Sequence, residues 1–320
     1  MTMESAFAGI DLGGTKMLGV IVDQNGRVLV SEEQPTLAAE GPDAVITRMA
    51  SLVRRLIEES GRLVSGVGVA TAGTLDPKDG TVQFAGNLGW TQVPLGRTLE
   101  RDLGLRVTVE NDANAAAYGE WKAGAGRGTR DCVFVTVSTG IGGGIVSDGK
   151  LIRGRSSSAG ELGHITIDWN GPLCPCGNVG CLELYASGTA IGKAAAAAAA
   201  AGEAEGLALL QLAGGQADRI TSREVAQAAA SGDPLSQRIL REAGRALGIG
   251  LVSLVHVANP ELIILGGGAS RIGEPLLGPM EETFRKYAIA SLGEGVRIVP
   301  PQLGAQAGAI GAALISEQHH

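Results

Sequence analysis

Residues 7–30, FAGIDLGGTKMLGVIVDQNGRVLV, decide the fold. A short apolar run leads into a turn at Gly13 and Gly14, a second apolar run follows, and Asn25-Gly26 precedes a third. Asn-Gly between apolar runs is a strong signal of a tight hairpin, and glycine supplies the backbone freedom that such turns need. The segment therefore predicts a three-stranded meander with a glycine turn between its first two strands.

The same pattern returns in residues 133–154, VFVTVSTGIGGGIVSDGKLIRG. Here the glycine turn covers 140–144, and Asp148-Gly149 marks the hairpin. Since one supersecondary unit occurs twice, each time followed by helix and strand patterns, we expect an α/β protein of two domains with a common plan and a cleft between them. A length of 320 residues agrees with two domains.

Further patterns complete this plan. Apolar spacing and buried runs predict helices at 42–60, 113–121, 234–257 and 305–315, and strands at 66–70, 106–109 and 261–265. Either Asn111 or Asp112 would cap the helix that starts at 113. The eight alanines at 194–201 are interpreted as a helix of high intrinsic propensity. A third glycine turn, 266–268, follows the last predicted strand.

The composition is that of a soluble globular protein, with 44% hydrophobic and 18% charged residues. A net charge of −7 and the absence of a basic run argue against nucleic acid and an anionic membrane as partners. The N-terminal residues lack the basic and apolar regions of a signal peptide, and polar residues interrupt the longest apolar stretch, 249–265. We therefore expect a cytoplasmic protein with reduced cysteines.

Two glycine turns, DLGGTK and STGIGGG, are candidate phosphate-binding sites, because backbone N–H groups in such turns converge on an anion. A Rossmann fingerprint is excluded, since both turns lead into another strand. A P-loop is excluded because Leu151 follows the Gly-Lys pair. One glycine turn alone is weak evidence; two on equivalent units, with Asp11 beside the first as an acidic partner for Mg²⁺, favour phosphate binding.

Three of the four cysteines and one histidine are concentrated in residues 160–187. They are His164, Cys174, Cys176 and Cys181, and this set of one imidazole and three thiolates suits tetrahedral Zn²⁺. Because all four positions would be filled by protein, we expect a structural zinc. Cys132 lies in a strand pattern and is interpreted as a core residue.

Carboxylates and amides near these motifs suit a polyhydroxylated substrate, whose hydroxyls are recognised by paired hydrogen bonds. The candidates are Asn87, Asn111, Asp112, Glu161 and Glu183. Each also has a plain structural interpretation; Asp112, for example, would serve equally as a helix cap.

Taken together, DLGGTK, VENDANAAAYGE, TVSTGIGGG, AGELGH and CPCGNVGCLELYASG resemble the ROK family of sugar kinases and sugar-responsive repressors. The resemblance covers residues 10–309 and implies an actin/hexokinase-like ATPase fold (ribonuclease H-like). It implies that the cysteine segment is a zinc-bound substrate loop in which His164 binds the metal and faces the sugar. One departure is Ser138, where the family often has glycine.

The resemblance also assigns roles to residues. Asp112 would be the catalytic base, and the sugar would contact Asn87, Asn111, Asp112, Glu161, His164 and Glu183. ATP would be bound by two groups, Asp11, Gly13, Gly14, Thr15, Lys16 from the first half of the chain and Ser138, Thr139, Gly140, Gly142, Gly267, Gly268 from the second. The smaller domain would comprise residues 1–118 and 300–320, and the larger one residues 119–299.

We therefore expect a kinase that uses Mg-ATP to phosphorylate a hexose at its 6-hydroxyl. Glucose is the first choice, because Asn87-Leu88-Gly89-Trp90 and CPCGNVGCLE resemble the family's glucokinase branch. N-acetylmannosamine, N-acetylglucosamine, mannose and fructose remain alternatives, as does polyphosphate as the donor. The family's repressors carry a DNA-binding domain ahead of the first glycine turn, and because Asp11 is only eleven residues from the start we expect no such domain here. A non-catalytic sugar sensor would be expected to lose the base, whereas the NDANAA stretch is intact. By analogy we expect a homodimer.

Overall fold

The computed structural model describes residues 5–76, 78–201 and 206–317. Its strands in chain order are β1 (Ala6–Leu12), β2 (Lys16–Asp23), β3 (Val28–Pro35), β4 (Val64–Thr71), β5 (Thr74–Asp76), β6 (Thr81–Ala85), β7 (Trp90–Val93), β8 (Val107–Asn111), β9 (Cys132–Val137), β10 (Ile141–Ser147), β11 (Lys150–Leu151), β12 (Leu262–Gly266) and β13 (Arg297–Val299). Its α-helices are α1 (Pro42–Ser60), α2 (Leu95–Leu103), α3 (Asp112–Ala123), α4 (Glu183–Ala186), α5 (Gly188–Ala200), α6 (Leu207–Leu212), α7 (Ser222–Ala230), α8 (Pro234–Ala258), α9 (Glu274–Tyr287), α10 (Ala290–Gly293) and α11 (Ala307–Ser316). Within these ranges no helix is both long and apolar enough to cross a membrane.

Two five-stranded sheets repeat one plan. The first has the order β3-β2-β1-β4-β8, and the second has the order β11-β10-β9-β12-β13. In the first sheet β2 pairs antiparallel with β1 and β3, whereas β4 pairs parallel with β1 and β8. The predicted meanders are confirmed, as β1-β2-β3 in the first sheet and β9-β10-β11 in the second. The second glycine turn covers 138–140 and not the expected 140–144, because the chain is already paired as strand β10 from Ile141 onward. A third, antiparallel sheet of β5, β6 and β7 was not predicted.

The chain forms two compact units. The first comprises the described residues up to Phe134, Gly144–Gly160 and those from Val299 onward, and the second comprises Val135–Gly143 and Glu161–Ile298. Helix α3 crosses the domain boundary expected at residue 118, and the whole helix lies in the first unit, where it packs on α11. Residues 119–134 and 144–160 thus group with the first unit by packing, while the division into domains stays a prediction.

Each unit has its own apolar core. In the first, Ile10 of β1, Met49 of α1 and Trp90 of β7 are buried in one cluster. Helix α11 packs on β1 and β4, and it approaches so closely that a Cβ added to Gly68 of β4 would overlap the carbonyl oxygen of Ala312. In the second unit, Leu240 of α8 is buried with residues of α5, α7 and α9.

Candidate active site

The candidate base, Asp112, lies where β8 passes into α3. Asn111 caps the helix, because its Oδ1 accepts the N–H groups of Ala113 at 2.9 Å and Asn114 at 3.1 Å. Asp112 is the first helical residue, and its Oδ1 accepts the Ala113 N–H at 2.8 Å. The sequence left either residue as the cap; the structure assigns the cap to Asn111 and leaves Asp112 at the positive end of the helix.

Burial controls the titration of Asp112. Desolvation raises the pKa of its carboxyl group, and the N–H of Ala113 opposes that rise. The helix N-terminus favours the ionised form of Asp112, but this effect is the weaker of the two, because desolvation outweighs it. A carboxylate with a raised pKa holds a proton more strongly and is therefore a better general base once it is ionised.

Asp11 lies at the same edge of the first sheet as Asp112. It pairs with Ala70 of β4, which in turn pairs with Glu110 of β8, and the carboxyl ends of these parallel strands share one edge. Burial, with a smaller contribution from the charge of Asp112, raises the pKa of Asp11 to about 6, while Lys16 lowers it. Two half-buried carboxyl groups that repel each other form a site that a cation would stabilise.

The first glycine turn connects β1 to β2. The Gly13 N–H donates to the Lys16 carbonyl at 3.0 Å, and the buried Thr36 hydroxyl donates to the Gly13 carbonyl at 2.7 Å. The Lys16 ammonium donates to Glu33 at 2.6 Å on the exposed surface. Asn87 lies against this turn, since a Cβ added to Gly14 would come within 2.6 Å of the Asn87 carbonyl oxygen.

A buried ion pair supports the residues around Asp112. Glu110, whose exposed fraction is 4%, accepts the Nε–H of Arg153 at 2.6 Å through its Oε2. Its Oε1 accepts the backbone N–H of Asn111 at 3.1 Å and the side-chain amide of Asn114 at 3.2 Å. Sequence reasoning missed Glu110, Arg153 and Thr36, because their partners are distant in the chain or belong to the backbone.

The second glycine turn connects β9 to β10 in the second unit. The Ser138 N–H donates to the Gly140 carbonyl at 2.8 Å, which closes the turn. Glu183 accepts the N–H of Ile141 at 2.8 Å through its Oε2. Gly267, in the third glycine turn, lies against the Val137 carbonyl at the end of β9. The turn 138–140 and the turn that contains Gly267 and Gly268 are therefore neighbours at one end of β9. Gly142, which the sequence placed in the glycine turn, lies in β10.

The four predicted metal ligands lie together in the second unit. Their ligand atoms all lie within 4.8 Å of one another. The Sγ of Cys174 is 3.7 Å from Nδ1 of His164, and the Sγ atoms of Cys176 and Cys181 are 3.7 Å apart. Tetrahedral zinc with Zn–S bonds of about 2.3 Å places two sulfur ligands about 3.8 Å apart. The donor atoms and their spacing therefore fit Zn²⁺.

The remaining sugar candidates flank this cluster. Glu161 immediately precedes the short 3-10 helix Leu162–His164, and its carbonyl accepts the His164 N–H at 3.1 Å. Glu183 begins α4 just after Cys181. The candidates Asn87, Asn111 and Asp112 lie in the first unit, and Glu161, His164 and Glu183 lie in the second.

The fold is that of the actin/hexokinase-like ATPases, which the structural neighbours share. The chain belongs to the ROK family, whose family model matches residues 7–319. A glucokinase from Streptomyces coelicolor is 38% identical over 97% of this chain and 97% of its own length.

Two solved structures are similar over nearly the whole chain. The structure of a ROK family glucokinase from Streptomyces griseus, in complex with glucose and AMPPNP, is 40% identical, covers 98% of this chain and 99% of its own, and has a TM-score of 0.79. The ROK hexokinase from Thermus thermophilus is 35% identical, covers 98% of each chain and has a TM-score of 0.86.

Proposed function

We propose that the protein is a sugar kinase that transfers the γ-phosphoryl group of ATP to the 6-hydroxyl group of glucose. The observation that carries the proposal is the position of the half-buried Asp112 carboxyl group, at the N-terminus of α3 and at the same sheet edge as Asp11. Desolvation raises the pKa of this carboxyl group, as a general base requires. Glucokinases 36–38% identical over nearly the whole chain support glucose as the acceptor.

In the proposed reaction Asp112 accepts the proton of the sugar hydroxyl as that oxygen attacks the γ-phosphorus. A new P–O bond forms to the sugar, the bond to the β–γ bridging oxygen breaks, and ADP leaves. Asp11 would hold the Mg²⁺ that accompanies ATP and neutralises the charge of its phosphates. Asp11 fits this task because it is a half-buried carboxyl group beside a second one and lies next to the first glycine turn.

The other roles follow from the same proposal. The N–H groups of Gly13, Gly14 and Thr15, with Lys16, would bind phosphates on the first unit. Ser138, Thr139, Gly140, Gly142, Gly267 and Gly268 would bind the nucleotide on the second. Lys16 would leave Glu33 to do so, at small cost, because exposed ion pairs contribute about 0–1 kcal/mol.

The sugar would be bound by Asn87, Asn111, Glu161, His164 and Glu183. His164, Cys174, Cys176 and Cys181 would hold one Zn²⁺, which supplies rigidity to the segment and no chemistry, because protein atoms fill all four positions. Three thiolate ligands also need a reducing compartment, which supports a cytoplasmic enzyme.

We further propose a homodimer, by analogy with the family, and sedimentation analysis would test it.

The deciding experiment measures ADP release with Mg-ATP over glucose, mannose, fructose, N-acetylglucosamine and N-acetylmannosamine. We expect turnover with glucose and a loss of about 10²- to 10⁴-fold in kcat for Asp112→Asn, the usual contribution of a general base. The control is Asp218→Asn, at an exposed carboxylate of the second unit. Near-normal turnover by Asp112→Asn would overturn its role, activity with an N-acetylated sugar alone would change the substrate, and silence with every sugar would favour a sensor.

A further inference from the structure

The second glycine turn is held by residues of the segment 160–187, which contains the four proposed metal ligands. Two residues of this segment, Gly163 and Glu183, contact Ile141 directly after the turn. The Ile141 N–H donates to Oε2 of Glu183, which begins α4 two residues after the ligand Cys181. On the other side, a Cβ added to Gly163 would overlap the Ile141 carbonyl oxygen, and Gly163 immediately precedes the ligand His164. The N–H of Ile141 is thus held by a hydrogen bond, and its carbonyl group packs closely against Gly163.

Two more hydrogen bonds hold the rest of the turn, and they come from the start of the next helix. The N–H of Gly188 donates to the Ser138 carbonyl at 2.7 Å, and that of Thr189 donates to the Thr139 carbonyl at 3.3 Å. Both donors lie at the start of α5, directly after α4. The turn that would bind phosphate therefore takes its conformation from α4 and α5 as well as from its own glycines.

The carboxylate of Glu183 can bind the glycine turn and a sugar at the same time, one with each oxygen. Its Oε2 is used by Ile141, and within the described part of the chain its Oε1 has no hydrogen-bond partner. The Cα of Gly140 passes close to the same carboxylate, because a Cβ there would overlap Oε2. One carboxylate oxygen thus orients the glycine turn, and the other is left for a sugar hydroxyl.

We propose, building on the proposed function, that Glu183 is a positioning residue for the phosphate-binding turn and that it couples donor binding to sugar binding. With Oε2 on Ile141, the carboxylate holds the turn in the conformation that binds the nucleotide's phosphates. A sugar hydroxyl on Oε1 restricts the same side chain, and so the bound sugar raises the affinity for the donor. By linkage, the donor raises the affinity for the sugar by an equal factor.

The test measures binding of a non-hydrolysable ATP analogue with Mg²⁺, first without sugar. We expect Glu183→Ala to weaken this binding by about 10- to 100-fold, the effect of losing a hydrogen bond to a charged group. Glu183→Gln retains an acceptor oxygen for the Ile141 N–H and should bind the analogue within a few-fold of wild type. A carboxylate that contacts only the sugar would leave the sugar-free affinity unchanged in both variants, and that result would overturn the proposal.

Two further variants separate positioning from general loss of structure. Tyr185 lies in the same helix as Glu183, α4, and its hydroxyl donates to Asp168 at 3.0 Å. Tyr185→Phe removes this hydrogen bond and should leave analogue binding unchanged. Gly163→Ala displaces Ile141 without touching Glu183 and should weaken analogue binding as Glu183→Ala does. Equal losses in Tyr185→Phe and Glu183→Ala would mean that any disturbance of α4 suffices, against a specific role.

The coupling is measured by repeating the titrations at saturating glucose. Wild type should bind the analogue more tightly with glucose, and Glu183→Gln, whose amide still holds the turn, should lose most of this gain. An equal gain in both proteins would overturn the coupling. If wild type bound the analogue and phosphorylated no sugar, the proposed function would fail, while the sugar-free comparison of variants would still decide the positioning role.

Discussion

Arg153 donates its Nε–H to the buried carboxylate of Glu110 at 2.6 Å, although 43 residues separate them in the sequence. The residue after Glu110 is the helix cap Asn111, and next is Asp112. The pair therefore fixes the N-terminus of the helix that carries the candidate base.

We expect Arg153→Met to destabilise the fold by about 1–3 kcal/mol, because it leaves a buried carboxylate without its charged partner. The matched control is Arg97→Met, which removes a 3.1 Å ion pair with Asp79 in which the arginine side chain is 71% exposed. That variant should lose less than about 1 kcal/mol.

Urea unfolding of Arg153→Met, Glu110→Gln and the double variant measures the pair directly. We expect a coupling energy of about 0.5–3 kcal/mol, since the two residues are in contact. Additive effects of the two substitutions would show that the ion pair contributes nothing to stability.

Asp11 should make stability depend on pH. Its pKa is raised to about 6 in the folded protein, so between the ordinary aspartate pKa and that value the folded state holds a proton that the unfolded chain has released. The stabilisation is full below the unfolded pKa and is lost as pH rises to about 6, a change of roughly 3 kcal/mol. Without divalent cations, Asp11→Asn should therefore be more stable than wild type at pH 8 and equally stable near pH 4.

Urea unfolding at several pH values tests this expectation, with Asp218→Asn as the control at an exposed carboxylate. A constant difference between Asp11→Asn and wild type from pH 4 to pH 8 would contradict the raised pKa. Loss of kinase activity in Asp11→Asn is expected at every pH, since the proposed Mg²⁺ ligand is gone.

The pH dependence of kcat/KM should report the raised pKa of Asp112. Only the ionised carboxylate accepts a proton, so activity should fall as pH decreases through a value above that of an ordinary aspartate. Steady-state kinetics over a range of pH, with saturating Mg²⁺ and donor, measures this acidic limb. A limb at or below pH 4 would mean that the base titrates as a solvent-exposed aspartate.

Metal analysis should find one zinc per chain in protein prepared without chelator. Cys174→Ala should lose most of this zinc on dialysis and melt at a lower temperature, because binding of the metal contributes to folding. Cys132→Ala is the matched control, since Cys132 is a buried cysteine of β9 outside the cluster. Full zinc content in Cys174→Ala would argue against this ligand set.

Gly68→Ala should destabilise the first unit by about 1–3 kcal/mol, the usual effect of forcing extra volume into a packed interior. Its Cβ would overlap the Ala312 carbonyl of α11. Gly295→Ala is the control, because nothing lies within 4 Å of a Cβ added there. Thermal unfolding compares the two variants, and equal melting temperatures would show that α11 has room to move away from the sheet.

The sequence predicted those parts of the fold and site that depend on local pattern. Alternating apolar runs with glycine turns predicted β1, β2 and β3, and three cysteines with a histidine predicted a cluster whose atoms the structure brings together. Such signals survive without tertiary information, because hairpin turns and soft metal ligands each need particular residue types in a short segment.

What the sequence did not predict depends on contacts between distant residues. Nothing in the local pattern pairs Glu110 with Arg153, or Glu183 with the N–H of Ile141, because either carboxylate would look the same on a surface. The raised pKa of Asp112 could not be predicted for the same reason, since the helix N-terminus is visible in the sequence and the depth of burial is not. The strands β5, β6 and β7 are short and lie between turn residues, so the sequence shows no clear strand pattern there and the third sheet was not predicted.

The late position of α11 in the sequence also has a consequence for the order in which the two units fold during synthesis. The strands that it covers, β1 and β4, are among the first to leave the ribosome, whereas residues 307–316 follow almost the whole remainder of the chain. Until then the face of the first sheet that α11 covers lacks its packing partner. This face is therefore exposed on the growing chain, and exposed apolar surface makes a chain prone to aggregation. We therefore expect the first unit to reach its native state last, after the second, even though its synthesis begins first.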